Sequence, residues 1–171
     1  MTKEWMPRER WDALVRGEGC PLCAELAADA AVTDEGYVVA DLAVSRLRLS
    51  THQSLPGYCV LICKQHVREP YELSPAQQLL FFEDMMRVGR ALEQVFASVK
   101  MNFELLGNAV PHLHCHIKPR YYGDPAGGIP IWPDVYPHDL ALEQYEERVA
   151  AIRAALAAQE APERANAEPL S

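Results

Sequence analysis

Between Val110 and Arg120 histidine recurs at every second position, at His112, His114 and His116, with Leu113, Cys115 and Ile117 between. This is the period of a β-strand, in which side chains two apart share one face. A strand over residues 111–118 therefore sets three imidazoles in a row, about 7 Å apart at Cβ. The apolar residues between them point the other way. Neighbouring imidazoles at that spacing can share one ligand. Neutral imidazole is a good nucleophile, protonated imidazole a good acid, and the two forms exchange near neutral pH. Catalysis, a metal cage and an incidental cluster all remain open for the isolated pattern. Three of the chain's six histidines within five residues argue against the last.

The flanking sequence supplies a sheet for this strand. Residues 37–40 and 43–49 have β-strand patterning, with Leu47 and Leu49 facing inward and Val44, Arg46 and Arg48 on the opposite side. A turn at Leu55-Pro56-Gly57 leads into an apolar run over 58–63, expected as a buried central strand, and residues 101–106 supply one more. Ser74-Pro75-Ala76-Gln77 carries a capping Ser, a Pro at the first helical position and a Gln three residues after the cap. The apolar periodicity after it predicts a long helix over 74–98. Shorter helices are expected over 8–16, closed by Gly17 and Gly19, and over 24–32, with a last amphipathic helix over 139–158. The proline- and glycine-rich residues 121–137 read as a loop. Strands in a run with helices at the ends predict an α+β fold, an antiparallel sheet with the long helix packed on it. One domain over 1–158 and a frayed polar tail over 159–171 are expected.

The chain has 171 residues and a net charge of −8, so it lacks the overall basic character of a nucleic-acid binder. A small anion remains compatible, because a local nest of donors can hold a phosphate on an acidic protein. The N-terminal residues are too polar for a signal peptide, and no apolar run approaches a membrane span. Five cysteines are an odd number with no sign of export, so the expectation is a cytoplasmic protein without a disulfide framework.

Cys20-Pro-Leu-Cys23 has the spacing of a metal knuckle, in which two thiolates on one turn reach a common ion. Two ligands do not complete a zinc site, and a thiol–disulfide pair or simple packing are the alternatives. Cys59 and Cys63 share a strand face with Leu61, and Cys115 faces away from the histidines, so all three are expected in the core.

His-Leu-His-Cys-His-Ile followed by Pro-Arg resembles the signature of the histidine-triad (HIT) family, His-φ-His-φ-His-φ-φ with φ apolar. Leu106-Gly-Asn-Ala-Val-Pro111 is similar to the approach to that strand, and Gly57-Tyr-Cys-Val-Leu-Ile-Cys-Lys64-Gln-His66 to the family's Gly-His-x-Leu-Val-Ile-Pro-Lys-x-His. The resemblance covers roughly residues 20–120. Two departures stand out: Lys118 at the final apolar position, and Asn108 where many members have Gln.

The resemblance implies a HIT-like antiparallel sheet of five or six strands. It also implies hydrolysis or transfer of nucleotidyl groups from nucleoside phosphoramidates, dinucleoside polyphosphates or nucleotide sugars. By position His114 attacks the α-phosphorus to give a nucleotidyl-histidine, and His116 assists the leaving group. Asn102, Asn108 and His52 stand where relatives contact the ligand, although an exposed loop position is the simpler reading of His52. A zinc-binding subset of the family pairs its CxxC with two histidines, which here implies structural zinc on Cys20, Cys23, His66 and His112. A small-molecule nucleotide is the implied partner. A homodimer is also implied, and Trp132 and Tyr136 are candidates for contact with the partner's site. Two rivals are a zinc-dependent hydrolase using the histidines as metal ligands, and a nucleotide-binding module without turnover.

Overall fold

The computed structural model describes residues 5–28, 30–124, 128–130 and 140–160. Six strands form one antiparallel sheet in the order β1-β2-β3-β4-β6-β5. In chain order these are β1 (Val32–Thr33), β2 (Gly36–Asp41), β3 (Ser45–Ser50), β4 (Cys59–Cys63), β5 (Lys100–Glu104) and β6 (His114–Arg120). The helices are α1 (Arg8–Val15), α2 (Pro21–Ala27), α3 (Pro75–Phe96) and α4 (Leu142–Glu160), with a short 3-10 turn at Pro70–Glu72.

One face of the sheet is the main core. Leu47, Leu49, Cys59, Leu61, Cys63, Cys115 and Ile117 are almost completely buried there, under Phe81, Met85, Val88 and Leu92 of α3 and Val149, Ile152 and Leu156 of α4. Each such aliphatic side chain contributes about 1.5–3 kcal/mol by leaving water. The three cysteines predicted for the core are in it, and none of the described cysteines forms a disulfide.

Polar groups tie the helices to the sheet where the ladder cannot. Buried Asp84 of α3 accepts from the Val44 amide at 3.1 Å and from Ser45 Oγ at 2.6 Å. The ladder shifts register at Val38–Ala40, and Arg153 of α4 donates to the Val38 and Val39 carbonyls at 3.0 and 2.7 Å. The capping box at α3 is formed as the sequence predicts, Ser74 and Gln77 satisfying each other's backbone amides.

The last helix begins at Leu142, and the strand expected over 101–106 is Lys100–Glu104. Two larger departures from the sequence reading have identifiable reasons. The helix expected over 24–32 ends at Ala27, and Val32–Thr33 is instead the edge strand β1. The Arg46 guanidinium from β3 caps that end, donating to the carbonyls of Glu25, Leu26 and Ala28 at 3.1, 3.3 and 3.4 Å. The histidine strand starts at His114 and runs to Arg120, whereas it was expected over 111–118. His112 precedes it, its ring drawn away by partners on other segments. Trp132 and Tyr136 lie outside the described residues.

Candidate active site

The face of the sheet opposite the main core carries the polar chemistry. Register fixes its layout: Arg48 pairs with Val60, Val60 with His116, and His116 with Glu104, so these four lie in one row across β3, β4, β6 and β5. Ile62 opposite His114 and Asn102 opposite Lys118 continue the same face. α2 and the segment before β6 wall it in. The result is a cavity of about 580 Å³ lined by Leu22 and Glu25 of α2, Thr33, Arg48, residues 106–110, His114 and His116. Gly107, at φ +64°, turns the chain at its lip with Asn108 beside it.

His114 has one ring nitrogen fixed and one available. Its Nδ1 donates to the His112 carbonyl at 2.6 Å, which leaves the Nε2 lone pair unprotonated in the neutral ring. Burial lowers its proton affinity, Arg48 adds to this, and the hydrogen bond to the His112 backbone opposes it. The ring centroids of His114 and His116 lie 4.9 Å apart. His116 Nδ1 is 2.7 Å from the Tyr58 hydroxyl. Burial first, then His114, Lys118 and Arg48, push the His116 pKa down to about 3. Both imidazoles are therefore neutral at physiological pH.

His112 belongs to a second cluster. The ligand atoms of Cys20, Cys23, His66 and His112 all lie within 4.8 Å of one another. His66 Nδ1 is 3.2 Å from both Cys23 Sγ and His112 Nδ1, and His112 Nδ1 is 3.4 Å from each sulfur. A tetrahedral zinc with ordinary Zn–N and Zn–S bonds has ligand–ligand edges of about 3.3–3.8 Å. The outer nitrogens fix the tautomers: His112 Nε2 donates to the Cys63 carbonyl at 2.8 Å and His66 Nε2 to the Val15 carbonyl at 3.1 Å. Both Nδ1 lone pairs thus converge on the two sulfurs, an arrangement that suits a cation. Burial and the adjacent Cys20 sulfur push the Cys23 thiol up to about 11, so its ionisation calls for one.

The structure thus brings His114, His116 and Asn108 to the cavity and the four predicted ligands to one point. It does not bring the other two expected contacts. Asn102 accepts from the Arg120 guanidinium at 2.9 Å and does not line the cavity. His52 is an exposed residue, also away from the cavity, after the end of β3. Sequence reasoning missed Tyr58, the partner of His116 Nδ1, and the Glu25–Arg48 ion pair in the cavity wall, whose two side chains are each 8 % exposed. Arg48 was legible as facing away from Leu47, but its nearness to the histidines follows from register. Lys118 is fully buried and paired with Glu104 at 2.7 Å, which explains how a charge occupies an apolar position of the motif.

An antiparallel sheet with a polar histidine face and helices on its other side defines the histidine-triad class of proteins. Residues 35–123 match the HIT domain family, and the chain belongs to that family. It is 30 % identical over 136 residues to "Protein hit" of Bacillus subtilis (strain 168), covering 72 % of this chain and 88 % of that one. It is 31 % identical over 75 residues to the asymmetrical bis(5'-nucleosyl)-tetraphosphatase of Schizosaccharomyces pombe, covering 41 % of each. Its fold is similar to that of a zinc-bound histidine triad family protein from Mycobacterium smegmatis, at TM-score 0.62 and 22 % identity over 82 % of this chain and 95 % of the other.

Proposed function

We propose that this protein cleaves nucleoside phosphoramidates or dinucleoside polyphosphates through a covalent nucleotidyl-His114 intermediate. The observation that carries the reading is the His114 ring: Nδ1 tied to the His112 carbonyl and the other nitrogen left to a cavity of nucleotide size. Nε2 attacks the α-phosphorus, the phosphorus–nitrogen bond forms, and the bond to the leaving group breaks with its electron pair. Water or another acceptor then attacks the same phosphorus and releases His114. Asn108 and the Gly107 turn stand where phosphate oxygens need donors. The tetraphosphatase relative supports polyphosphate cleavage as the activity.

Cys20, Cys23, His66 and His112 would hold zinc, in keeping with their edge lengths and with the zinc-bound relative of the same fold. Four protein ligands complete the ion, which then acts as a cross-link between α2, the segment after β4 and the start of the triad. The same point weighs against a zinc-dependent hydrolase: His114 and His116 are outside the cluster. A homodimer is part of the proposal, since β5 is an edge strand and Val99, Leu79 and Phe82 are exposed beside it or on α3. Among the described residues no helix is long and apolar enough to cross a membrane.

The test is intact-protein mass spectrometry after brief mixing with diadenosine tetraphosphate or an adenosine phosphoramidate. The quench is alkaline, because a phosphorus–nitrogen bond to histidine is acid-labile. An adenylyl adduct is expected in the unmodified protein and absent from His114→Ala. Turnover without an adduct, abolished by chelators, would replace this reading with the metallohydrolase. Nucleotide binding with neither adduct nor turnover would leave a binding module.

A further inference from the structure

Two adjacent neutral imidazoles with different fixed partners raise the question of which nitrogen of His116 carries its proton. Tyr58 stands where the resembled strand has His after its Gly, so the residue that answers it departs from that pattern. We propose that Tyr58 is a positioning residue that holds His116 with its proton on Nε2, presenting a donor to the leaving group of the reaction proposed above. The inference rests on that reading for its catalytic meaning, but its structural part stands alone.

Tyr58 is held firmly. It is buried with Leu55, Val60 and Ile62, and its backbone carbonyl accepts from Gln53 Nε2 at 2.9 Å. The Gly57 amide just before it donates to Gln53 Oε1, also at 2.9 Å. Its ring lies 28° from parallel to that of His116, and Oη reaches His116 Nδ1 at 2.7 Å. A phenol is a weaker acid than an imidazolium, so the shared proton stays on oxygen. The imidazole lone pair is a far better acceptor than the phenol oxygen, so the phenol donates. The charges around it act in the same direction. The buried Lys118 ammonium is 5.8 Å from the Tyr58 ring centroid, where a cation strengthens the phenol as a donor. Glu104 holds that ammonium in place at 2.7 Å. Arg48 from β3 and His114 on the same strand also face His116 and oppose its protonation.

With Nδ1 accepting, the single proton of neutral His116 is on Nε2. The two triad imidazoles that line the cavity then have opposite functions. The His112 carbonyl makes His114 a lone pair, and the Tyr58 hydroxyl makes His116 a donor. A departing amine takes the Nε2 proton of His116 while His116 Nδ1 takes the Tyr58 hydroxyl proton, so the imidazole ends neutral. The negative charge rests on the Tyr58 oxygen near the Lys118 ammonium until the attacking water or other acceptor returns a proton along the same route. An attacking nitrogen needs no donor.

Two measurements test this, one without any substrate. In 15N-histidine-labelled protein, long-range 1H–15N correlation spectra report the tautomer of each ring, with His116 assigned by its loss in His116→Asn. The expected result is a protonated Nε2 in the unmodified protein and a shift toward protonated Nδ1 in Tyr58→Phe. Protonated Nδ1 in the unmodified protein, or an unchanged tautomer in Tyr58→Phe, would overturn the proposal. If Tyr58→Phe does not fold, the unmodified spectrum alone decides it. The second measurement is the rate of adenylylation by an adenosine phosphoramidate with an alkylamine leaving group and by the p-nitrophenyl ester of AMP. Tyr58→Phe is expected to slow the first by about tenfold or more and the second little, because nitrophenolate leaves without a proton. Equal slowing of both would mean a purely structural role. If the unmodified protein adenylylates with neither compound, the proposed reaction fails while the spectra still decide the tautomer.

Discussion

At the scale of single residues the site works by controlling neutral imidazole. His116 is the clearest case, its pKa held at about 3 against an ordinary 6.5 by burial and three neighbouring bases or cations. The unfolded chain takes up a proton as pH falls below 6.5 and the folded one does not, so acid favours unfolding over the window from 6.5 down to about 3. At pH 5 this amounts to at most about 2 kcal/mol. Urea midpoints at pH 7 and pH 5 should therefore fall further apart in the unmodified protein than in His116→Asn, which has no such proton to exclude. Equal pH dependence in the two would show that His116 is protonated in the native state. Lys118 is a charge in a dry place that the sequence marks only as a departure from an apolar pattern. Its partner Glu104 comes from a neighbouring strand, and that makes the burial tolerable.

At the scale of elements, short connections do much of the positioning. The turn before β4 bends at Gly57, whose φ is +82° and where an added Cβ would lie 2.5 Å from the Phe96 ring. Gln53 clasps this turn from inside, with Arg148 of α4 donating to its Oε1 at 2.6 Å. Gly57→Ala should cost about 1–3 kcal/mol through the left-handed backbone and the crowded ring. Chemical denaturation measures the loss, and a stability within 0.5 kcal/mol of the unmodified protein would mean the turn relaxes freely. The limits of α2 and β6 show the same dependence on context. Arg46 ends one, and the Cys63 carbonyl and the cysteine cluster take His112 out of the other.

At the scale of the whole molecule, one face of a single sheet packs the main core under α3 and α4, and the other carries the histidines beside a smaller apolar cluster that includes Leu22, Val60 and Ile62. The proposed zinc joins stability to chemistry, since its ligand His112 supplies the carbonyl that orients His114. Removing the metal should lower the thermal midpoint markedly while leaving the His114 adduct able to form at a temperature where the protein stays folded. Metal analysis, calorimetry and the mass-spectrometric assay on chelator-treated protein check this together. Loss of the adduct in a fully folded, metal-free protein would show that the cluster does more than support the strand.

Local periodicity and cap chemistry determined a good deal without any structure. Alternation placed Leu47, Leu49, Cys115 and Ile117 in the core, and the Ser74–Gln77 box marked the start of α3, because both signals are complete within a few residues. The shared face of His114 and His116 was likewise readable from the alternation of the motif. The grouping of His112 with Cys20, Cys23 and His66 was implied by the family resemblance, and the structure brings the four together. Tertiary structure decided whatever depends on register and long-range partners: that Asn102 is engaged by Arg120, and that Tyr58, Arg48 and Glu104 gather round His116. A strand's sequence states which face a side chain is on, but only pairing with other strands decides what it meets there.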